Sequence, residues 1–91
     1  MCRNIRVLHH FEPPTTDDEI HDAALQYVRK VTGLNAPSRA DHDSFEHAVA
    51  EIAASTKKVL TAIATRGAAR TREGEREKAR LRWARREDRI R

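Results

Sequence analysis

Apolar residues fall into two helical stripes separated by a short polar connection. Ile20, Ala23, Ala24, Tyr27, Val28 and Val31 recur three or four residues apart, the spacing that lines one face of an α-helix. Thr16-Asp17-Asp18-Glu19 stands at its entry as a capping box, in which the Thr16 hydroxyl and the Glu19 carboxylate each satisfy an orphan backbone amide. The acids of that first turn and the basic pair Arg29-Lys30 in the last suit the helix dipole, and Gly33 supplies a left-handed stop. The pattern predicts a helix over 17–32. After a connection containing Pro37, Phe45, Val49, Ile52, Thr56, Val59, Leu60 and Ile63 repeat at the same spacing, with Ala48 and Ala53 beside them. Asp41 is favoured over Ser38 as the cap, and Arg66-Gly67 marks the end. A second helix is expected over 42–65, about 24 residues and about 36 Å long.

The ends of the chain are less regular. Ile5, Val7, Leu8 and Phe11 make a pattern too short to separate strand from helical turn, and an extended segment packed across the helices is preferred because Pro13-Pro14 follow. Thr71 to Arg91 reads as a third helix held by the i,i+3 pairs Glu73–Arg76, Glu75–Lys78 and Glu77–Arg80. Its apolar seam of Ala79, Trp83 and Ile90 is thin and broken by Arg86, and Gly74 weakens its start by about 1 kcal/mol relative to Ala. A frayed or partner-dependent helix is the expectation.

These elements predict an all-α protein: a small helical bundle built on an antiparallel helical hairpin, with an extended N-terminal segment and a charged C-terminal helix. Residues 1–91 are read as a single domain, with 1–15 extended, 16–66 the hairpin and 67–91 a basic, partly mobile tail. The expected core is Ile20, Tyr27, Val28, Val31, Phe45, Val49, Ile52, Val59 and Ile63. Two amphipathic helices leave the far side of the second uncovered. The N-terminal segment, the third helix or a second copy of the chain must fill it, and this shortage of core argues for a homodimer.

Charge divides the chain. Residues 1–65 carry seven Lys/Arg against nine Asp/Glu, whereas 66–91 carry eleven against five, so a net −2 meets a net +6. Such a tail points to an acidic partner. Arginine outnumbers lysine 14 to 4 and alanine also reaches 14, which is the codon usage of a GC-rich genome and weakens that inference. One cysteine excludes an internal disulfide framework, and no stretch approaches a signal peptide or membrane span. A soluble, cytoplasmic protein without membrane association is expected.

Met1-Cys2-Arg3-Asn4-Ile5, Phe11-Glu12-Pro13-Pro14 with Thr16, and Ala23-Ala24-Leu25-Gln26-Tyr27-Val28-Arg29-Lys30-Val31 with Gly33 resemble a family of short bacterial proteins, domain of unknown function 2277. Pro37-Ser38, Phe45, Ala48-Val49 and Leu60 also fit. The resemblance runs from residue 1 to about 65 and more loosely through the tail. It implies a free-standing bacterial protein and brings no activity, cofactor or catalytic residue. His9-His10 depart from the family pattern, which counts against a shared metal site there.

Four chemistries remain to be weighed. Removal of Met1 would leave Cys2 as an N-terminal residue, whose amine and thiol could form a chelate or nucleophilic pair, with Arg3 and Arg6 favouring the thiolate. The plainer reading is a small hydrophobe under the helices. The five histidines lack the short fixed spacing of a zinc site: His9-His10 are adjacent, His42 and His47 are five apart, and Asp17–His21 and Asp43–His47 read as surface ion pairs. No metal and no cofactor are expected. Phosphate loops, nucleophile elbows and zinc-protease signatures are missing, which favours a non-enzyme. In the tail Arg76, Lys78, Arg80, Arg82, Arg85, Arg86, Arg89 and Arg91 surround the helix. Arg76, Arg80, Arg82, Trp83 and Arg86 are the candidate contacts to nucleic acid or an acidic protein, with Trp83 placed to stack on an unpaired base. A non-catalytic binding or adaptor module is therefore preferred over a thiol-dependent redox or metal-linked activity centred on Cys2.

Overall fold

The computed structural model describes residues 5–90, with Ile90 described by its backbone alone. The element order is α1 (Asp17–Thr32), α2 (His42–Ala62) and α3 (Arg72–Ile90), with no strand among the described residues. The fold is all-α. Two compact units make it up: residues up to His9 with Thr15–Ala64, and His10–Pro14 with Thr65 onward.

In the first unit α1 begins and ends where the pattern places it. The Glu19 amide donates to Thr16 Oγ1 at 3.2 Å while the Thr16 amide donates to Glu19 Oε1 at 2.9 Å, completing the capping box. Gly33 closes the helix at φ 74°, a left-handed conformation that costs a residue without Cβ little, and its amide donates to the Arg29 carbonyl at 2.9 Å.

The second helix differs at both ends. Asp41 occupies the N-cap position, yet its carboxylate makes no cap. Ser38 explains why: its hydroxyl donates to Asp41 Oδ2 at 3.0 Å and accepts from the Asp41 amide at 3.3 Å, closing a local turn that competes with capping. At the other end α2 stops at Ala62 rather than 65 because Ile63 turns extended, at φ −70° and ψ 131°. The Ile63 carbonyl faces the His9 ring, with Nε2 at 3.3 Å, so a partner outside the helix stands at the helix end.

Helices α1 and α2 pack on one another through Ala24, Val28, Phe45 and Val49, with Leu25, Ala48, Ile52 and Ala53 around them. Val49 is the centre, 1% exposed. Alanines on both helices let the backbones approach, so burial concentrates there. Ile20 is also buried and Ile52 half-buried.

Four expected core residues are instead exposed: Tyr27, Val31, Val59 and Ile63. Helix length explains the last three. Asp17, the first residue of α1, pairs with Lys57 of α2 at 2.9 Å, so Val59 and Ile63 lie beyond the start of α1. At the opposite end Phe45 lies in the first turn of α2 and shares a cluster with Val28. Val31, almost a turn further along α1, has no part of α2 opposite it and is 67% exposed. The N-terminal segment does pack on the hairpin: Ile5 and Leu8 join Ala23, Tyr27, Ile52 and Leu60 in lining an apolar cleft of about 260 Å³. The Thr15 hydroxyl donates to the Leu8 carbonyl and fixes the exit of that segment.

The second unit is built around residues 10–14. Phe11 and Arg70 form an isolated parallel bridge, with the Arg70 amide donating to the His10 carbonyl at 2.8 Å and the Glu12 amide to the Arg70 carbonyl at 2.9 Å. The Glu12–Pro13 bond is cis. Thr71 then starts α3, its carbonyl accepting from the Glu75 amide at 3.0 Å and its hydroxyl from the Gly74 amide at 2.9 Å. Gly74, a weak helix former by sequence, has a reason to be there. A Cβ on Gly74 would stand 2.8 Å from the Thr71 hydroxyl that caps the helix.

Candidate functional site

Helix α3 is anchored at its base by an arginine that no periodicity in the sequence marks. Arg72 Nη1 donates to the Pro13 carbonyl at 2.7 Å and Nη2 to the Pro14 carbonyl at 3.2 Å, while its guanidinium lies 5.3 Å from the centre of the Phe11 ring. Almost sixty residues separate the partners, so no local signal could have found the clamp. Beside it, Glu75 forms ion pairs with Arg70 at 3.7 Å and Lys78 at 3.2 Å, and Glu77 pairs with Arg80 at 2.5 Å. Of the three pairs the spacing predicts, Glu75–Lys78 and Glu77–Arg80 form, whereas Glu73–Arg76 does not among the described residues. The Arg80 hydrogen bond holds the Glu77 carboxyl below the usual carboxylate range, outweighing desolvation, and Glu77 raises the Arg80 guanidinium in turn.

These pairs sort the cations of α3. Arg76, Arg82, Arg85, Arg86 and Arg89 are exposed and make no hydrogen bond or ion pair among the described residues. As a set the cations surround the helix as expected, since Arg76 and Arg80 lie on the far side from the others. At about 100° per residue, however, Lys78, Arg82, Arg85, Arg86 and Arg89 fall within an arc of roughly 100°. Glu73, Glu77, Glu87 and Asp88 fall within another arc of similar width on the opposite side, by the same roughly 100° step. Of the candidate contacts, Arg82 and Arg86 lie in the basic arc. Trp83, 51% exposed, lies between the two arcs, roughly 60° from Arg86 and roughly 40° from Glu87. Arg76 and Arg80 lie outside the basic arc, among the acids.

The other candidates stand apart. Cys2 and Arg3 lie outside the described residues. The rings of His9 and His10 turn to separate carbonyls, Ile63 at 3.3 Å and Gly67 at 3.0 Å. His47 pairs with Glu51 at 2.6 Å and Asp43 with His42 at 3.5 Å, in place of the expected Asp43–His47 pair. Asp17, expected beside His21, pairs with Lys57 instead, whose ammonium reaches it across the hairpin at 2.9 Å. Among the described residues no three His, Cys, Asp or Glu side chains come together in a way that could hold a metal ion. No described helix is long and apolar enough to cross a membrane.

Against known proteins, residues 1–78 match the model of a family described as uncharacterized conserved protein, domain of unknown function 2277. Neither the curated proteins nor the solved structures gave a match.

Proposed function

The chain belongs to the domain of unknown function 2277 family, and from that premise we propose that it is a non-catalytic helical binding module whose basic α3 contacts an acidic partner. The observation that supports this is the set of exposed arginines on α3, Arg82, Arg85, Arg86 and Arg89, that no carboxylate of the described chain neutralises. Side chains of this type gain little from intramolecular pairing in water, and their planar forks suit phosphate or carboxylate. The clamp from Arg72 to Pro13 and Pro14 gives the helix a fixed base from which to present them. The cytoplasm is the compartment assigned to this role. Retention of the full chain on immobilised heparin tests the reading. Arg82→Gln/Arg86→Gln is expected to elute at clearly lower salt, and elution at unchanged salt rejects α3 as the contact surface.

A second copy of the chain is also part of the proposal. Tyr27, Val31 and Val59 on the helices and Ile63 just past the end of α2 lie about half or more exposed, an apolar surface a homodimer would cover. Light scattering over a tenfold dilution series tests it. A mass of one chain throughout rejects the dimer, whereas a dimer that Val31→Asp dissociates supports it.

A further inference from the structure

We infer that the apolar cleft between the N-terminal segment and the α1–α2 hairpin is a binding site for a small monocarboxylate, one with an apolar body of about six to eight carbons. The site lies apart from α3, and neither reading depends on the other.

Residue size creates the cleft. Ala23 and Ala24 leave shallow positions on α1, while Ile52 and Leu60 project from α2 about 12 Å apart along its axis. Ile5 and Leu8 supply the remaining wall, so three pieces of chain border a volume of about 260 Å³ without filling it. Sites for drug-sized molecules run to roughly 300–1,000 Å³, so the occupant is smaller than these. At the roughly 30 Å³ of one water molecule in the liquid, the cleft has room for about eight or nine non-hydrogen atoms. Aliphatic walls offer water few hydrogen-bond partners, so an apolar body is the better occupant.

The polar side chains of the lining decide the other end of the ligand. Thr56 is already engaged, its hydroxyl donating to the Ile52 carbonyl at 2.7 Å. Arg6 is exposed and makes no hydrogen bond or ion pair among the described residues, and the hydroxyl of the half-exposed Tyr27 makes none either. No carboxylate lines the cleft among the described residues. The guanidinium fork and the phenol O–H are both donors, and an ionised carboxylate is an acceptor with two oxygens for them. Arg6 is also the one cation on the described lining, which matches a head carrying a single negative charge.

Amide NMR of the isotope-labelled full chain, titrated with butanoate, hexanoate, octanoate, dodecanoate, octanol and octylamine, tests the inference. Octanoate is expected to shift amides within residues 5–8, 23–27 and 52–60. From butanoate to octanoate each added methylene should tighten binding about 4-fold, the equivalent of about 0.8 kcal/mol, and the gain should stop before dodecanoate because the cleft is full. Octanol and octylamine should bind about 5-fold more weakly or worse, and Arg6→Gln should bring octanoate down to the level of octanol. Arg39→Gln, away from the lining, should change nothing. Ala23→Leu should fill the cleft and abolish binding, and the exposed Arg6 substitution decides the matter if the leucine variant fails to fold. Equal binding of octanol, or no loss on Arg6→Gln, overturns the inference. Shifts confined to α3 place the carboxylate on its arginines and overturn it too, as does affinity that climbs through dodecanoate without a plateau. Binding that is absent from the wild-type chain and uncovered by Val31→Asp gives the cleft to the interface between copies, which overturns the inference, and so does the lack of shifts with every probe.

Discussion

Arg72 and Pro13 are joined by a hydrogen bond of 2.7 Å from Nη1 to the prolyl carbonyl, across fifty-nine residues of sequence. The second bond, to Pro14, and the face of Phe11 complete a three-point grip on one guanidinium. Lysine has one compact ammonium and cannot reproduce this fork.

Arg72→Lys is therefore expected to loosen the start of α3 nearly as much as Arg72→Ala, each by about 1–2 kcal/mol given that the bonds are exposed to solvent. Amide hydrogen exchange over residues 72–80 reads this directly. Full protection in the lysine variant would show that charge alone, without the fork, holds the segment.

Much of the first unit was legible in the order of residues, because its determinants are local. Thr16, Glu19 and Gly33 each declare a helix boundary within a few positions, and α1 has the expected limits. What periodicity cannot encode is where the partner helix stops. Val31 and Val59 continue their stripes faultlessly and are still exposed, since α1 and α2 are offset along one another as the Asp17–Lys57 pair marks. The cap at Asp41 failed for a related reason: Ser38, itself a plausible cap, took the carboxylate. In the tail the charge was plain but its sidedness was not. That emerged only once a continuous helix fixed the phase of residues 72–90.

The same offset sets the energetic order of core substitutions. Phe45→Ala removes a buried aromatic from the core of the hairpin and should cost about 3–5 kcal/mol, enough to unfold so small a domain. Ile52, only half-buried, should cost about 1–2 kcal/mol on truncation to Ala, below the range of fully buried isoleucines. Val31→Ala should stay within about 0.5 kcal/mol when measured on a single chain. Urea denaturation of the three variants checks the order, and a Val31 cost matching that of Phe45 would mean that another surface covers Val31.

Acid should act on α3 through Glu77. Its folded pKa is lowered by the Arg80 hydrogen bond, so the unfolded state holds the proton more readily. The contribution of this pair is therefore present above the unfolded carboxylate value of 4.5 and is lost as pH falls through the lower folded value. Helicity of the wild-type chain should fall over that acid window by more than that of Glu77→Gln, in which the pair has no titrating member. Because both side chains are solvent-exposed, the difference should shrink as salt is raised. Identical acid titrations of the two proteins at low salt would remove Glu77 from the account.

The start of α3 offers a sharper test, because two effects there oppose each other. Thr71 caps the helix through its hydroxyl, and Thr71→Ala should cost about 0.5–2 kcal/mol. Gly74→Ala has two consequences. It gains about 1 kcal/mol of helix propensity. It also places a Cβ where the Thr71 hydroxyl stands 2.8 Å away, forcing that hydroxyl to rotate out of its capping position. The two should nearly cancel, leaving Gly74→Ala close to neutral in the wild-type chain. Once Thr71 is already Ala there is no hydroxyl to displace, and Gly74→Ala should then stabilise the helix by the full propensity gain of about 1 kcal/mol. A double-mutant cycle read by thermal unfolding of α3 measures the coupling, which should be about 1 kcal/mol. Additive effects would mean that the hydroxyl tolerates the extra methyl, and Gly74 would then have no part in the cap.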